Sequence, residues 1–255
     1  MEKFKLISII GPTAVGKTAF SIRLAKKLRT EIISGDSMLV YSGFDVGAAK
    51  PNQQELSEVK HHLIDILPPD AKYNVMDFCV EAKKIIEKLN NKGKIPILAG
   101  GTGLYVKALI EGYEFSENNT KSTESYFLKT GELLYNAFVI GLRRERAALY
   151  ERINKRVDLM VTEGLFEEVE RLLKNAGENS QAMQGIGYKE TVLYLKNEIS
   201  QEEAIENIKK NTRHFAKRQF TWYKKMPYIN WYDLDNIKED EIFDKIYFDT
   251  KDFFN

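Results

Sequence analysis

Apolar and polar positions follow two periods along this chain, and each change of period marks an element. Phe4 to Ile10 is a short run rich in β-branched residues that stops at Gly11-Pro12, which predicts a buried strand followed by a turn. From Ala19 to Leu28 the apolar positions Phe20, Leu24 and Leu28 recur at helical spacing opposite Lys and Arg, so a helix follows. Glu31 to Ser34 and His62 to Ile66 read as brief second and third strands, Val75 to Leu89 as an amphipathic helix, and Ile95 to Ala99 as another buried strand. That strand runs into Gly100-Gly101-Thr102-Gly103 and an apolar helix from Leu104 to Ile110. The unit of strand, glycine turn and helix therefore occurs twice. Such alternation predicts an α/β fold, a mostly parallel sheet flanked by helices, with ligands at the carboxyl ends of its strands.

Tyr113 to Leu134 breaks the pattern, with Ser, Thr and Asn concentrated from Ser116 to Ser125, and reads as an exposed excursion. Phe138 to Leu142 resumes as a strand, and Arg143 to Lys225 reads as helices punctuated by Gly164, Gly177, Gly185 and Gly187. The expected organisation is a core of residues 1–112 plus 138–232 with a helical C-terminal half, a reduced region over 113–137, and an acidic, aromatic tail over 233–255.

Composition removes several classes of function. The 255 residues, 43% hydrophobic and 29% charged, suit one large domain, and no uncharged run reaches the roughly 18 residues of a membrane span. The apolar N-terminal stretch lacks a small-residue cleavage site, so a cytoplasmic protein is expected, and a monomer is the default. A single cysteine, Cys79, excludes internal disulfides and cysteine-rich zinc sites. Three histidines, His61, His62 and His214, are too few and scattered for a zinc constellation, and His61 and His62 read as structural residues. Any catalytic metal is then a hard ion held by oxygens, with magnesium first.

Charge is balanced overall, 38 basic against 37 acidic residues, but segregated. Between Asn207 and Tyr232 there is no Asp or Glu, while Lys209, Lys210, Arg213, Lys217, Arg218, Lys224 and Lys225 alternate with Phe215, Phe220, Trp222 and Tyr223. Cations neutralise phosphates and rings stack on bases, so this stretch fits a polyanion binder as well as a solvated helix face.

The sharpest chemical signal is Gly11-Pro12-Thr13-Ala14-Val15-Gly16-Lys17-Thr18, a P-loop pattern between a strand and a helix start. Its backbone amides, the helix terminus and Lys17 converge on phosphate oxygens, and the Thr18 hydroxyl can ligate magnesium. The second strand brings Ser34-Gly35-Asp36-Ser37 to the same edge, so the Asp36 carboxylate faces the bound phosphates, beside its alternative role as a helix cap. Thr102 in the third loop offers a hydroxyl, and Arg213 and Lys217 share a helix face that can clamp departing charge. These residues alone fit both a nucleoside kinase and a group transferase with a diphosphate donor.

Eight segments in order, GPTAVGKT, GDSMLVYSGFDVGAAKP, HHLIDILPP, YNVMDF, PILAGGTGLYVKALIEG, LYERINKRVDLMVTEGLFEEV, AMQGIGYKE and NTRHFAKRQFTWYKK, resemble the tRNA dimethylallyltransferases, also called tRNA isopentenyltransferases. The resemblance covers most of residues 4 to 226 and implies a P-loop NTPase-like fold. It implies transfer of a dimethylallyl group from dimethylallyl diphosphate, with magnesium, to N6 of the adenine just 3′ of the anticodon. By the same resemblance the loop from Gly11 to Thr18 holds the diphosphate, Asp36 is the base, Lys17 and Arg213 stabilise the leaving group, and Asp36, Ser37, Met38, Leu39 and Thr102 contact the target nucleotide. Lys217 and Arg218 are expected on the tRNA backbone. Two departures stand out. Ala48 replaces the family's usual Thr, and between the GGTGLY segment and the Phe138 strand the long helical insertion that grips the anticodon stem is missing. Its loss leaves transfer to free AMP, ADP or ATP as the alternative within the same chemistry.

Overall fold

The computed structural model describes residues 2–116, 119–235 and 237–255, without the side chains of Ser116 and residues 119–124. In chain order the elements are β1 (Lys5–Ile10), α1 (Lys17–Leu28), β2 (Ile32–Ser34), α2 (Gln53–Glu58), β3 (His61–His62), α3 (Val75–Asn90), β4 (Ile97–Gly100), α4 (Gly103–Ile110), β5 (Tyr113–Ser116), β6 (Asn119–Ser125), α5 (Tyr126–Thr130), β7 (Asn136–Arg143), α6 (Arg146–Thr162), α7 (Leu165–Ala176), α8 (Tyr188–Leu195), α9 (Gln201–Tyr223), β8 (Ile229–Asp233) and α10 (Glu239–Phe254). Six strands form one sheet in the order β3-β2-β4-β1-β7-β8, with every pairing parallel.

Residues of β1 alternate between two cores, as side chains of a strand must. Leu6 and Ile10 join Ile33, Leu98 and Val139 on one face, under α3, α4 and the helices α7 and α8. Ile7 and Ile9 join Ile32, Ile97 and Ile140 on the other, under α1 and α10. A strand buried on both faces reads as a continuous apolar run, which is why Phe4 to Ile10 was recognisable.

Three elements differ from the expectation. The third strand is two residues long, not five, because Leu63 (φ +62°) and Asp65 (φ +53°) take the left-handed conformation and turn the chain out of the sheet. The excursion over 113–137 holds an antiparallel hairpin, with Tyr113 paired to Ser125, and the short helix α5. The acidic, aromatic segment after Asp233 is structural: α10 buries Ile242, Phe243 and Ile246 in the core of the α1 face, and the Arg23 guanidinium stacks on Phe243 at 3.8 Å. Its acidic positions Glu239, Asp240 and Glu241 occupy the first turn, where they complement the helix dipole.

At the carboxyl edge of the sheet two backbones touch. A Cβ on Gly100 would lie 2.3 Å from the Gly35 carbonyl oxygen, and a Cβ on Gly11, at φ +150°, would lie 2.5 Å from that of Leu142. Gly100→Ala is therefore expected to cost about 3 kcal/mol or more, since backbone must move on both sides. Urea unfolding with an unchanged midpoint would show that the two loops are not in contact.

Candidate functional site

The three loops after β1, β2 and β4 converge on one cavity, lined by Thr13, Lys17, Thr18, Ser34, Asp36, Gly100 and Gly101 at its polar end. Leu39, Ala48, Ala49, Pro51, Ile64 and Phe215 form its apolar wall. The empty space is about 690 Å³ with its open mouth included.

Ala14 (φ +63°) and Gly16 (φ +116°) put left-handed turns into the loop that leads to α1, a geometry in which successive amides form an anion-binding concavity. Lys17 folds back over it and donates to the carbonyls of Gly11 (3.0 Å) and Pro12 (2.9 Å). Burial lowers its pKa to about 8, with Asp36 acting in the opposite direction and Arg156 in the same one. An anion entering the loop relieves that desolvation by giving the ammonium an opposite charge.

Asp36 does not cap a helix; the next one begins after the Asn52 cap. Its Oδ1 accepts from Met38 N at 2.9 Å, which fixes the carboxylate. A Cβ placed on Gly101 would lie 3.6 Å from Asp36 Oδ2 and 3.8 Å from Lys17 Nζ, so the carboxylate, the ammonium and the glycine turn meet at one point. Ser37 N donates to Thr102 Oγ1 at 3.0 Å, and the Thr102 hydroxyl donates to Ser37 Oγ at 3.2 Å, tying the second loop to the third. Leu39 lines the cavity, whereas Met38 packs against the backbone of Gly185.

Helix α9 closes the third side. Gln219 is buried, its Oε1 accepting from Thr13 N (2.9 Å) and its Nε2 donating to the Gly101 carbonyl (2.8 Å), so one side chain spans the first and third loops. Arg213 donates to Asn154 Oδ1 on α6 at 2.6 Å and is not a wall residue of the cavity. Lys217 and Arg218 are exposed, and the ion pairs of α9 among the described residues are made by Lys209 alone.

Two arginines that the sequence reading passed over reach the first loop from α6. Arg156 donates to Thr13 Oγ1 (3.2 Å) and lines the cavity; Arg152, one turn earlier, donates to the Ala14 carbonyl (2.9 Å). Burial lowers the pKa of Arg156, and Asp36 counters it. Together with Lys155 they face an adjoining cleft on the outer side of the loop, beside Gly16 and Thr18. The spacing of four within a helical pattern was the available signal. Arg144 anchors the same loop through Val15 O (3.1 Å) and is held by Asp235 Oδ1 (2.9 Å), which gives the C-terminal segment a part in positioning the site.

His61 is on the cavity wall. Its Nδ1 donates to the Val59 carbonyl at 2.8 Å, and burial lowers its pKa. His62 pairs with Glu31 at 2.8 Å, away from the cavity. Cys79 is buried and its thiol is pushed up to about 12. Among the described residues no three His, Cys, Asp or Glu side chains gather as a metal cluster.

A model of the IPP transferase family matches residues 39–133 and 116–226. The tRNA dimethylallyltransferase of Macrococcus caseolyticus is 38% identical, with 96% of each chain aligned, and that of Bacillus subtilis is 38% identical over 96% of this chain and 97% of its own. The crystal structure of the full-length tRNA isopentenylpyrophosphate transferase of Bacillus halodurans is similar at a TM-score of 0.89 and 37% identity, covering 98% of this chain and 97% of that one. A eukaryotic dimethylallyltransferase acting on tRNA has a TM-score of 0.77 at 26% identity, covering 90% of this chain and 73% of its own. The Macrococcus alignment runs over 299 positions against the 255 residues present here, so that relative carries dozens of residues without a counterpart. The two family-model matches overlap on residues 116–133, which places the break at the hairpin and α5.

Because Lys17 is charged below about pH 8 and neutral above it, affinity for inorganic diphosphate should be full below that pH and fall as the pH rises through it. Titration calorimetry across this range, with Lys17→Met as reference, checks it. Parallel pH profiles for the two proteins would remove Lys17 from the anion site.

Proposed function

The chain belongs to the IPP transferase family, and from that premise we propose that it moves a dimethylallyl group from dimethylallyl diphosphate to N6 of the adenine just 3′ of the anticodon in tRNA. The observation that carries the reading is the meeting of Asp36 Oδ2 and Lys17 Nζ at the Gly101 turn, between a phosphate-binding loop and an apolar wall. A reaction that joins a neutral amine to an allylic carbon and releases diphosphate needs a base for the amine proton and an anion site for the diphosphate facing one cavity.

The loop from Gly11 to Thr18 takes the diphosphate, with charge from Lys17 and from Arg156 on the wall. Arg213 supplies a third cation from the neighbouring helix, held at Asn154. The prenyl chain lies along Leu39, Ala48, Ala49, Pro51 and Ile64, and Ala48 in place of a hydroxyl residue makes that wall more apolar. The adenine is held between Asp36 and the Ser37–Thr102 pair, having left its stack in the anticodon loop. As the bond from N6 to the allylic carbon forms and the bond from that carbon to the diphosphate oxygen breaks, the N6 proton passes to Asp36 Oδ2. Oδ1 stays on the Met38 amide, so the carboxylate does not turn away during transfer.

The cavity offers a magnesium ion oxygen donors of the right kind, the Thr18 hydroxyl foremost, and too few carboxylates to hold it without the substrate. Thr18 would bind the ion, which would neutralise charge on the diphosphate. Lys217 and Arg218, outward on α9, suit the RNA backbone.

A transfer assay with labelled dimethylallyl diphosphate tests the reading, offering an anticodon stem-loop, whole tRNA and free AMP or ATP in parallel. Label in the RNA is expected, and label in free nucleotide alone would move the activity to the adenylate class. In the same assay Asp36→Ala should cut kcat by about 10²- to 10⁴-fold with donor affinity nearly intact. Arg156→Leu should lose about 10²-fold in kcat/KM for the donor; an unchanged value would return the leaving-group role to Arg213 and Lys17.

A further inference from the structure

Helix α9 lays a stripe of side chains along the cavity and out of it. Phe215 and Gln219 line the wall four residues apart, and Trp222 continues the stripe to the surface. There the indole rests on the backbone of Gly103: a Cβ at that glycine would lie 2.4 Å from Trp222 Cδ1 and 2.8 Å from Nε1. Gly103 follows Thr102, whose hydroxyl is bonded to Ser37 beside Asp36. Trp222 is thus seated at the rim next to the point of reaction, yet 38% of it faces solvent, and Leu104 beside the seat is 41% exposed. Tryptophan is costly to leave in water without a partner. Lys217, Arg218, Lys224 and Lys225 flank it along the chain, and none of the ion pairs of α9 among the described residues involves them.

We propose that Trp222 is a stacking platform for a base adjacent to the target adenine. The inference rests on the tRNA reading above. When the target base turns into the cavity, its neighbour loses a stacking partner, and an indole at the rim restores one. The four cations hold the phosphates on either side. Gly103 is part of the device, because a side chain there would push the indole off its seat.

Three stem-loop RNAs test this, one intact and one each with an abasic nucleotide 5′ or 3′ of the target adenine. Their affinities are read by anisotropy for wild type, Trp222→Ala and Trp222→Phe. Trp222→Ala should bind the intact RNA about tenfold more weakly, the loss of one stacked base, and Trp222→Phe should recover most of it. With one of the abasic RNAs the alanine change should add no further loss, since the partner base is already gone. Its salt dependence should match wild type, because no cation is removed. Unchanged affinity for the intact RNA, or losses that simply add with both abasic RNAs, would overturn the proposal. Transfer of label to the intact stem-loop by wild type keeps the assigned reaction standing in that event. Its absence from every RNA would overturn the reaction itself.

Discussion

Everything at this site follows from two strands whose following loops come into backbone contact. Gly100 approaches Gly35 so closely that a methyl group on Gly100 would strike the Gly35 backbone. That contact draws the loop bearing Asp36 onto the loop bearing Gly101 and Thr102, while Gly11 against Leu142 sets the phosphate loop beside them. A parallel sheet delivers its loops to one edge by construction, but only glycine lets them meet at van der Waals distance. The cross-links that finish the site, Gln219 between the first and third loops and Thr102 between the second and third, are hydrogen bonds laid over that contact.

The electrostatics of the site are organised for binding anions. Lys17, Arg152 and Arg156 are desolvated, and each is answered by backbone carbonyls or a hydroxyl more than by a carboxylate. Carbonyl dipoles hold a cation in place without cancelling its charge, so the positive potential stays available to a diphosphate. Among the described residues Asp36 is the one carboxylate on the cavity wall, and its Oδ1 is anchored by the Met38 amide.

The parts of this architecture that local patterns encode were readable. β1, α1 and the glycine turns announce themselves because strand burial on both faces and phosphate-loop geometry each demand particular residues at fixed spacing. The third strand was overestimated because the first of its left-handed turns falls on Leu63, a residue type that rarely adopts that conformation, with Asp65 following it. Helix α10 was read as a tail because its acidic and lysine residues obscure an apolar stripe of Ile242, Phe243 and Ile246 that only the packed sheet makes meaningful. Arg152 and Arg156 were passed over because a spacing of four between basic residues equally fits a solvated helix face, and Arg213, found by its motif, turns to Asn154 because of how α6 and α9 pack. Such outcomes depend on contacts far apart in sequence, which no window of residues contains.

The hairpin stem at Tyr113 and Ser125 has one more consequence. These two residues face each other across an antiparallel pair, so the chain leaves and re-enters the body at almost one place. Whatever length of polypeptide closes that gap leaves the sheet undisturbed, and closure entropy grows only with the logarithm of length. The stem therefore works as a socket. The Macrococcus relative carries dozens more residues and this chain fewer, and at such a stem either length leaves the three site loops where they are. The length of that segment and the geometry of the site are thereby separable properties of this scaffold, open to exchange by grafting at a single point.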